Sequence, residues 1–160
     1  MIWPLIRGCT TAMFAVTLLA GCDAHPTAFS DEGLRMELVV SRTELVVPRD
    51  SVLVRVIATN TTRWPRTIPV MGCDVNFRLF DATGAHVSTP GRCLYRIDHV
   101  LLRPGERFEQ AVAWGGETVT IGAARTPTYV APGTYELRGL IHGSDLFTDR
   151  IRLVVRAAGD

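Results

Sequence analysis

The sequence contains no lysine, so each of its 17 basic residues is an arginine. Arginine and lysine differ physically only at particular sites, so this absence alone excludes little. The sequence also has no large excess of either charge, since it contains 16 acidic and 17 basic residues, and no basic patch stands out. Nucleic acid is therefore not expected as a partner.

A catalytic constellation is missing as well. His142, Ser144 and Asp145 supply the residue types of a catalytic triad, but they crowd into one turn without a Gly-x-Ser-x-Gly elbow. Asp98 and His99 are adjacent, and neighbours on a strand face opposite ways. We therefore expect the protein not to be an enzyme.

Metal-binding patterns are equally scarce. There is no C-x-x-C motif, and His86 and His99 do not have a recurrent metal-ligand spacing. Met36 and Met71 could join them in a copper site, because thioether and imidazole ligands suit copper, but the spacing does not favour it. No cofactor is expected, and a metal carrier is the least favoured function.

The first 21 residues have the pattern of a bacterial lipoprotein signal peptide. Arg7 precedes the apolar run 12–20, which is too short to span a bilayer. Leu19-Ala20-Gly21-Cys22 then resembles a lipobox, in which the thiol of the cysteine accepts diacylglycerol before cleavage. The alternative is an ordinary secretory signal with a chance cysteine. The lipobox predicts a protein anchored at Cys22 to the extracytoplasmic side of a cell membrane, which is the periplasmic side in a diderm bacterium.

Three segments follow from this prediction: a signal peptide over 1–21, a lipidated cysteine with a polar tether over 22–33, and one domain over 34–160. Removal of the signal also removes Arg7, which leaves a formally neutral chain. The acyl chains, rather than attraction to anionic lipid, are therefore the expected anchor. Asp23 resembles an inner-membrane retention signal only in some bacteria, so the choice of membrane stays open.

The remaining cysteines predict one disulfide. Cys9 lies in the signal and Cys22 carries the lipid, which leaves Cys73 and Cys93. Two thiols in an oxidising envelope are expected to pair. Closing a loop of about 20 residues would stabilise the fold by about 3 kcal/mol in the chain-entropy model.

Alternating apolar residues predict an all-β chain. The pattern is clear after Pro132-Gly133, where Tyr135, Leu137, Gly139 and Ile141 share one face. A tyrosine at the entry of such a strand is typical of Ig-like sandwiches. About seven to nine short strands separated by turns predict a single Ig-like antiparallel β-sandwich. The predicted strands are 34–40, 44–47, 52–60, 75–80, 85–87, 107–114, 135–141 and 149–155, and the short pieces 67–70, 98–102 and 119–121 could add to them.

The order of several short motifs resembles the intracellular proteinase inhibitor (BsuPI-like) family. They are Asn60 after a long strand, Phe77-Arg78-Leu79-Phe80-Asp81 followed by Gly84, Leu102-x-Pro104-Gly105-Glu106, Trp114, and Pro132-Gly133-Thr134-Tyr135-Glu136-Leu137. The resemblance covers about two thirds of the chain, from about Val52 to Val155. It implies an Ig-like sandwich and inhibition of a proteinase.

Two loops contain candidate partner contacts. In Arg63-Trp64-Pro65-Arg66, an aromatic residue lies between two cations, which would suit an interface if it is exposed. The alternative is a Trp64 that caps one end of the sandwich. The segment 115–128 could offer Arg125 to a protease, or it could be an irregular connection.

These observations favour a non-catalytic, lipid-anchored binding module of the cell envelope that contacts a protein partner through a loop or an exposed strand edge. A proteinase inhibitor is the alternative that the family resemblance implies.

Overall fold

The computed structural model describes residues 27–31, 33–73, 75–87, 89, 93–118, 128–143 and 146–159. Cys22, the signal peptide, Arg125 and the predicted strand 119–121 lie outside the described residues. The described part of the chain is all-β and forms no helix, as predicted from the alternation. It therefore contains no helix long and apolar enough to span a bilayer.

The first sheet has four antiparallel strands in the order β1-β2-β4-β9. Valine, leucine and isoleucine alternate with polar residues along β2 and β4, so one face of each strand is buried. Leu38 is thereby aligned with Val56, and Val54 with Val112. The strands are β1 (Thr27–Asp31), β2 (Leu34–Val40), β4 (Val52–Asn60) and β9 (Arg107–Trp114).

The second sheet has five strands in the order β3-β13-β12-β6-β7. The chain crosses from the first sheet to the second at Ser41-Arg42-Thr43, after which β3 pairs with β13 in parallel. Gly84, with a φ of 83°, closes the β6–β7 hairpin. The strands are β3 (Glu44–Val47), β6 (Phe77–Phe80), β7 (His86–Val87), β12 (Gly133–Leu140) and β13 (Phe147–Ala157).

Two ribbons complete the described strands. The larger is an antiparallel pair of β5 (Arg66–Cys73) and β8 (Cys93–Leu102), and the smaller is β10 (Glu117–Thr118) with β11 (Thr128–Tyr129). Ile68 and Val70 on β5 are buried, together with Leu102 on β8. The larger ribbon therefore packs one face on the core and leaves the other face outward.

The core lies between the two sheets. A Cβ atom at Gly139 would lie 2.6 Å from Val56 Cγ2 and 3.1 Å from Leu38 Cδ1, so β12 packs directly on β2 and β4. The Trp114 ring is 3% exposed and meets the Phe77 ring edge to face at 5.3 Å. Tyr135 donates its hydroxyl hydrogen to the Ala131 carbonyl at 2.7 Å, as in the tyrosine corner of Ig-like sandwiches.

The structure differs from the predictions in three places. Residues 27–31, predicted to belong to the tether, form β1 on the edge of the first sheet. The predicted strands 67–70 and 98–102 extend to β5 and β8, because they pair with each other. The described residues contain thirteen strands rather than about seven to nine. β1 lies in the predicted tether, and β10 and β11 have two residues each, which is too short to leave a pattern in the sequence.

Candidate partner-binding surface

The loop between β4 and β5 is held by the buried side chain of Asn60. Its Nδ2 donates to the carbonyls of Trp64 at 2.7 Å and Leu102 at 2.9 Å, and its Oδ1 accepts from the Thr62 amide at 3.0 Å. The Asn60 backbone also bonds to the β8–β9 turn through Gly105 and Glu106. This side chain therefore fixes the loop against the end of β8.

Trp64 is presented to solvent by this loop. Its side chain is 64% exposed, so it does not cap the sandwich. The Arg63 guanidinium carbon lies 5.2 Å from the centre of the Trp64 ring, which is a cation–π distance. Arg66 is the first residue of β5. In the sequence, Arg63 and Arg66 therefore lie on either side of the residue with the exposed ring. The fourth candidate contact, Arg125, is outside the described residues.

The outward face of the β5–β8 ribbon lies next to this loop. The register aligns Thr67 with Leu101, Pro69 with His99 and Met71 with Ile97, and we call these six residues the ribbon face. Leu101 is 59% exposed and Ile97 is 49% exposed. Among the described residues five large apolar side chains are exposed, and Trp64, Leu101 and Ile97 are three of them. All three lie on the β4–β5 loop or on β8, which are the two segments that the Asn60 side chain joins.

The free edge of β8 is a second feature of this surface. Within the described part of the chain, β8 forms a ladder with β5 alone. An unpaired strand edge presents backbone amides and carbonyls to which another extended segment can bind. The surface therefore combines apolar side chains with backbone hydrogen-bonding groups.

The two predicted disulfide partners lie opposite each other in the same ribbon. Cys73 on β5 is the register partner of Cys93 on β8, directly after an irregularity that follows Met71. Facing residues of antiparallel strands have Cα atoms about 4.5–5.5 Å apart, which is within the span of a disulfide. The backbone register therefore supports the predicted bond.

The other sequence candidates are His142 with its neighbours in one turn, the pair Asp98-His99, and His86. His142 is half-buried, and desolvation, with a smaller contribution from the Arg78 charge, lowers the pKa of its imidazole. Ser144 and Asp145 lie outside the described residues. Asp98 forms an exposed ion pair with Arg96 at 2.8 Å. Over the described ranges, no three histidine, cysteine or carboxylate side chains are grouped as metal ligands.

The remaining histidines lie apart. His86 on β7 meets the Phe80 ring edge to face at 5.8 Å, whereas His99 is exposed on β8. The sequence pattern did not predict the ribbon face. Ile97, His99 and Leu101 occupy alternate positions, which indicates that they share one face of a strand. The sequence could not show that this face is the outward one.

The comparisons with known proteins give a weak likeness of fold. No family model and no curated protein matches the chain. A β-glucosidase from Listeria innocua in complex with isofagomine is 18% identical with a TM-score of 0.47, over 81% of this chain and 17% of that protein. A β-glucosidase from Erythrobacter marinus is 15% identical with a TM-score of 0.46, over 83% of this chain and 16% of that one. This likeness does not assign their activity to the chain.

Proposed function

We propose that the protein is a non-catalytic binding module, anchored by a lipid at Cys22 to the outer side of a cell membrane, which holds a protein partner against Trp64 and the ribbon face. The observation that carries this proposal is the exposed Trp64 ring on a loop fixed by a buried asparagine. Tryptophan and arginine are the residues most enriched in binding hot spots, and here they are stacked.

The loop needs little ordering before it binds. The Trp64 carbonyl accepts from Asn60 Nδ2, and its amide donates to Thr62 Oγ1 at 3.2 Å. Both backbone groups of the presenting residue are therefore held in the free protein. A surface fixed in advance loses less conformational entropy on association, which favours affinity.

The ribbon face suits an apolar, strand-like partner. Leu101 and Ile97 are four positions apart on one strand, so their side chains point the same way. A partner segment that paired with the free edge of β8 would place alternate side chains beside them. Strand addition of this kind takes affinity from the backbone and specificity from the side chains.

The test is a crosslinking pull-down from native membranes with wild-type protein and three variants. Trp64→Ala and Leu101→Asp should each lose the partner, and loss of a hot-spot tryptophan should weaken binding by at least 2 kcal/mol, or about 30-fold. Leu53→Ala is the matched control, because Leu53 is 41% exposed and lies seven residues before Asn60 on β4, about 23 Å away.

One result would contradict the proposal, and a second would disqualify the variants. Equal capture of the partner by wild type and Trp64→Ala would remove this surface from the interaction. Loss of the partner with Leu53→Ala as well would indicate general damage to the fold. With a purified partner, calorimetry should give the same order of affinities as the pull-down.

The proteinase inhibitor remains the alternative from the family resemblance. A protease among the captured proteins would favour it, and its activity should then fall in proportion to the concentration of added chain. Deletion of the segment 115–128 tests whether the loop that contains Arg125 makes the contact.

A further inference from the structure

The outward face of the second sheet carries more arginines than carboxylates. Its outward register positions on β6, β12 and β13 hold five arginines and the carboxylate of Glu136, and the same sheet also has exposed carboxylates at Glu44 on β3 and at Asp149 on β13. Asp81 lies at the rim of this surface, beside Arg150 and Glu136. We call the arginines of this surface the arginine face: Arg78, Arg138, Arg150, Arg152 and Arg156.

Three of these arginines form one row across the sheet. The register aligns Arg78 on β6 with Arg138 on β12, and Arg138 with Arg150 on β13. Like charges directly opposite each other destabilise a sheet. The row therefore works against folding unless an anion compensates it.

The protein neutralises the positive charge of this row only in part. Arg150 pairs with Glu136, and Arg156 pairs with Glu44 at the edge of the sheet. Arg78 and Arg138 place their guanidinium carbons 5.3 Å and 4.5 Å from the centre of the Phe147 ring. Stacking on an aromatic ring holds a guanidinium in place. Arg138 Nε also donates to the Thr148 carbonyl at 3.1 Å, which leaves the two terminal amino groups of this guanidinium as its donors to an oxyanion.

The first sheet provides an internal comparison. Its outward positions mix charges of both signs, and ion pairs join Arg35 with Glu37 and Arg55 with Glu109. On the first sheet Thr59 lies between Arg35 and Arg107, so no two arginines of its described strands stand directly opposite each other. The row of Arg78, Arg138 and Arg150 is therefore a local feature of a chain that is close to neutral as a whole.

We propose that the arginine face docks on the anionic phospholipid headgroups of the membrane in which the protein is anchored. The inference rests on the proposed lipid anchor at Cys22. Guanidinium groups bind phosphate oxygens in a bidentate manner, and phosphates are the anions that the anchor brings closest.

The position of the N-terminal strand supports this occupant. β1 lies against β13, the strand that carries Arg150 and Arg152. Cys22 precedes the start of β1 by five residues, which can span at most about 18 Å. The headgroup layer is therefore within reach of the edge of the arginine face. An anchored domain also has a high effective concentration at the surface, so weak contacts suffice to orient it.

The absence of lysine allows a direct test by arginine footprinting. The full chain is purified from membranes and reconstituted in phosphatidylcholine vesicles with or without phosphatidylglycerol, then treated with phenylglyoxal and analysed by mass spectrometry. Arg78 and Arg152 should react about fivefold more slowly when phosphatidylglycerol is present, and raised salt should remove the difference. Arg35 and Arg107, on the outer face of the first sheet, are the controls and should not change.

A pair of charge-matched variants isolates the face. Arg78→Gln with Arg150→Gln should remove the protection of Arg152, whereas Arg35→Gln with Arg107→Gln should leave it intact. Equal reaction rates in both kinds of vesicle, or equal protection of both sheets, would overturn the proposal. Protection of Arg78 and Arg152 by soluble polyglutamate but not by phosphatidylglycerol would also overturn it, and would point to an acidic protein partner. The mass of the N-terminal peptide reports separately whether Cys22 is lipidated, so a failure of the anchor is distinguishable from a failure of this inference.

Discussion

Gly139 shows how closely one residue can limit the packing of the two sheets. It lies on β12 with its face toward the core, and side chains from β2 and β4 fill the space that a Cβ atom would need. The Thr148 hydroxyl also accepts from its backbone amide at 2.9 Å. Alternation in the sequence predicted that Gly139 faces inward, but only the structure shows why the position has no side chain.

We expect Gly139→Ala to lower the free energy of unfolding by about 1–3 kcal/mol, because the added methyl group overpacks the core. Chemical denaturation measures this change. Gly133→Ala is the control, since its Cβ would meet only the Tyr135 ring, at an ordinary 3.6 Å, and it should change stability little. A neutral Gly139→Ala would show that the two sheets can move apart at no cost.

Asn60 is a second residue whose role the sequence indicated only in part. Its position after a long strand was recognised as a motif of the resemblance. The structure adds that its side-chain amide joins the loop of Trp64 to the end of β8. These bonds connect segments that lie 42 residues apart, so no local pattern could have revealed them.

Among the elements, the β5–β8 ribbon was the least predictable. The sequence showed two short apolar fragments, 67–70 and 98–102, and did not show that they pair, although Tyr95 and Ile97 before the second fragment favour a strand. Pairing satisfies the backbone groups along one edge of each strand, over eight and ten residues, and extends each beyond its apolar part. The length of the ribbon is therefore set by a contact between distant segments.

The proposed Cys73–Cys93 disulfide belongs to this ribbon. Mass spectrometry of the unreduced protein should find a peptide that links the two cysteines. A Cys73→Ala, Cys93→Ala double variant should unfold about 3 kcal/mol more easily, because the unfolded chain regains the freedom of a loop of about 20 residues.

Reduction provides the control for the disulfide. A reducing agent should lower the stability of the wild type to that of the double variant and leave the variant unchanged. If both proteins responded equally to reduction, the two cysteines would not be bonded to each other.

For the whole molecule, the distribution of charge carries more information than its total. Net charge indicated only that nucleic acid is not an expected partner. The structure separates a mixed face on the first sheet from the arginine face on the second. A lipid anchor beside one of these faces would give the domain a preferred orientation on the membrane.

We expect Cys22→Ala to abolish lipidation, because the thiol is the group that accepts the acyl glycerol. Metabolic labelling with palmitate should mark the wild type and not the variant. Cys9→Ala is the matched control and should be labelled normally, since Cys9 lies within the predicted signal. Labelling of Cys22→Ala would refute the lipobox.

The sequence by itself determined the strands and their buried faces, since the alternation of apolar and polar residues is a local property. It predicted β2, β3, β4 and β9 with their exact limits, and it placed Tyr135 at the entry of β12. It also supplied the predictions for Cys22, Cys73 and Cys93.

Only the tertiary structure decided which surfaces could bind a partner. The exposure of Trp64 depends on a bond between Asn60 and the distant end of β8. The row of Arg78, Arg138 and Arg150 depends on the register of β12 and β13 with each other and with β6, which lies far from both in the chain. The physical reason is the same in both cases: long-range pairing sets which side chains become neighbours, and the sequence shows only which face of its own strand each one occupies.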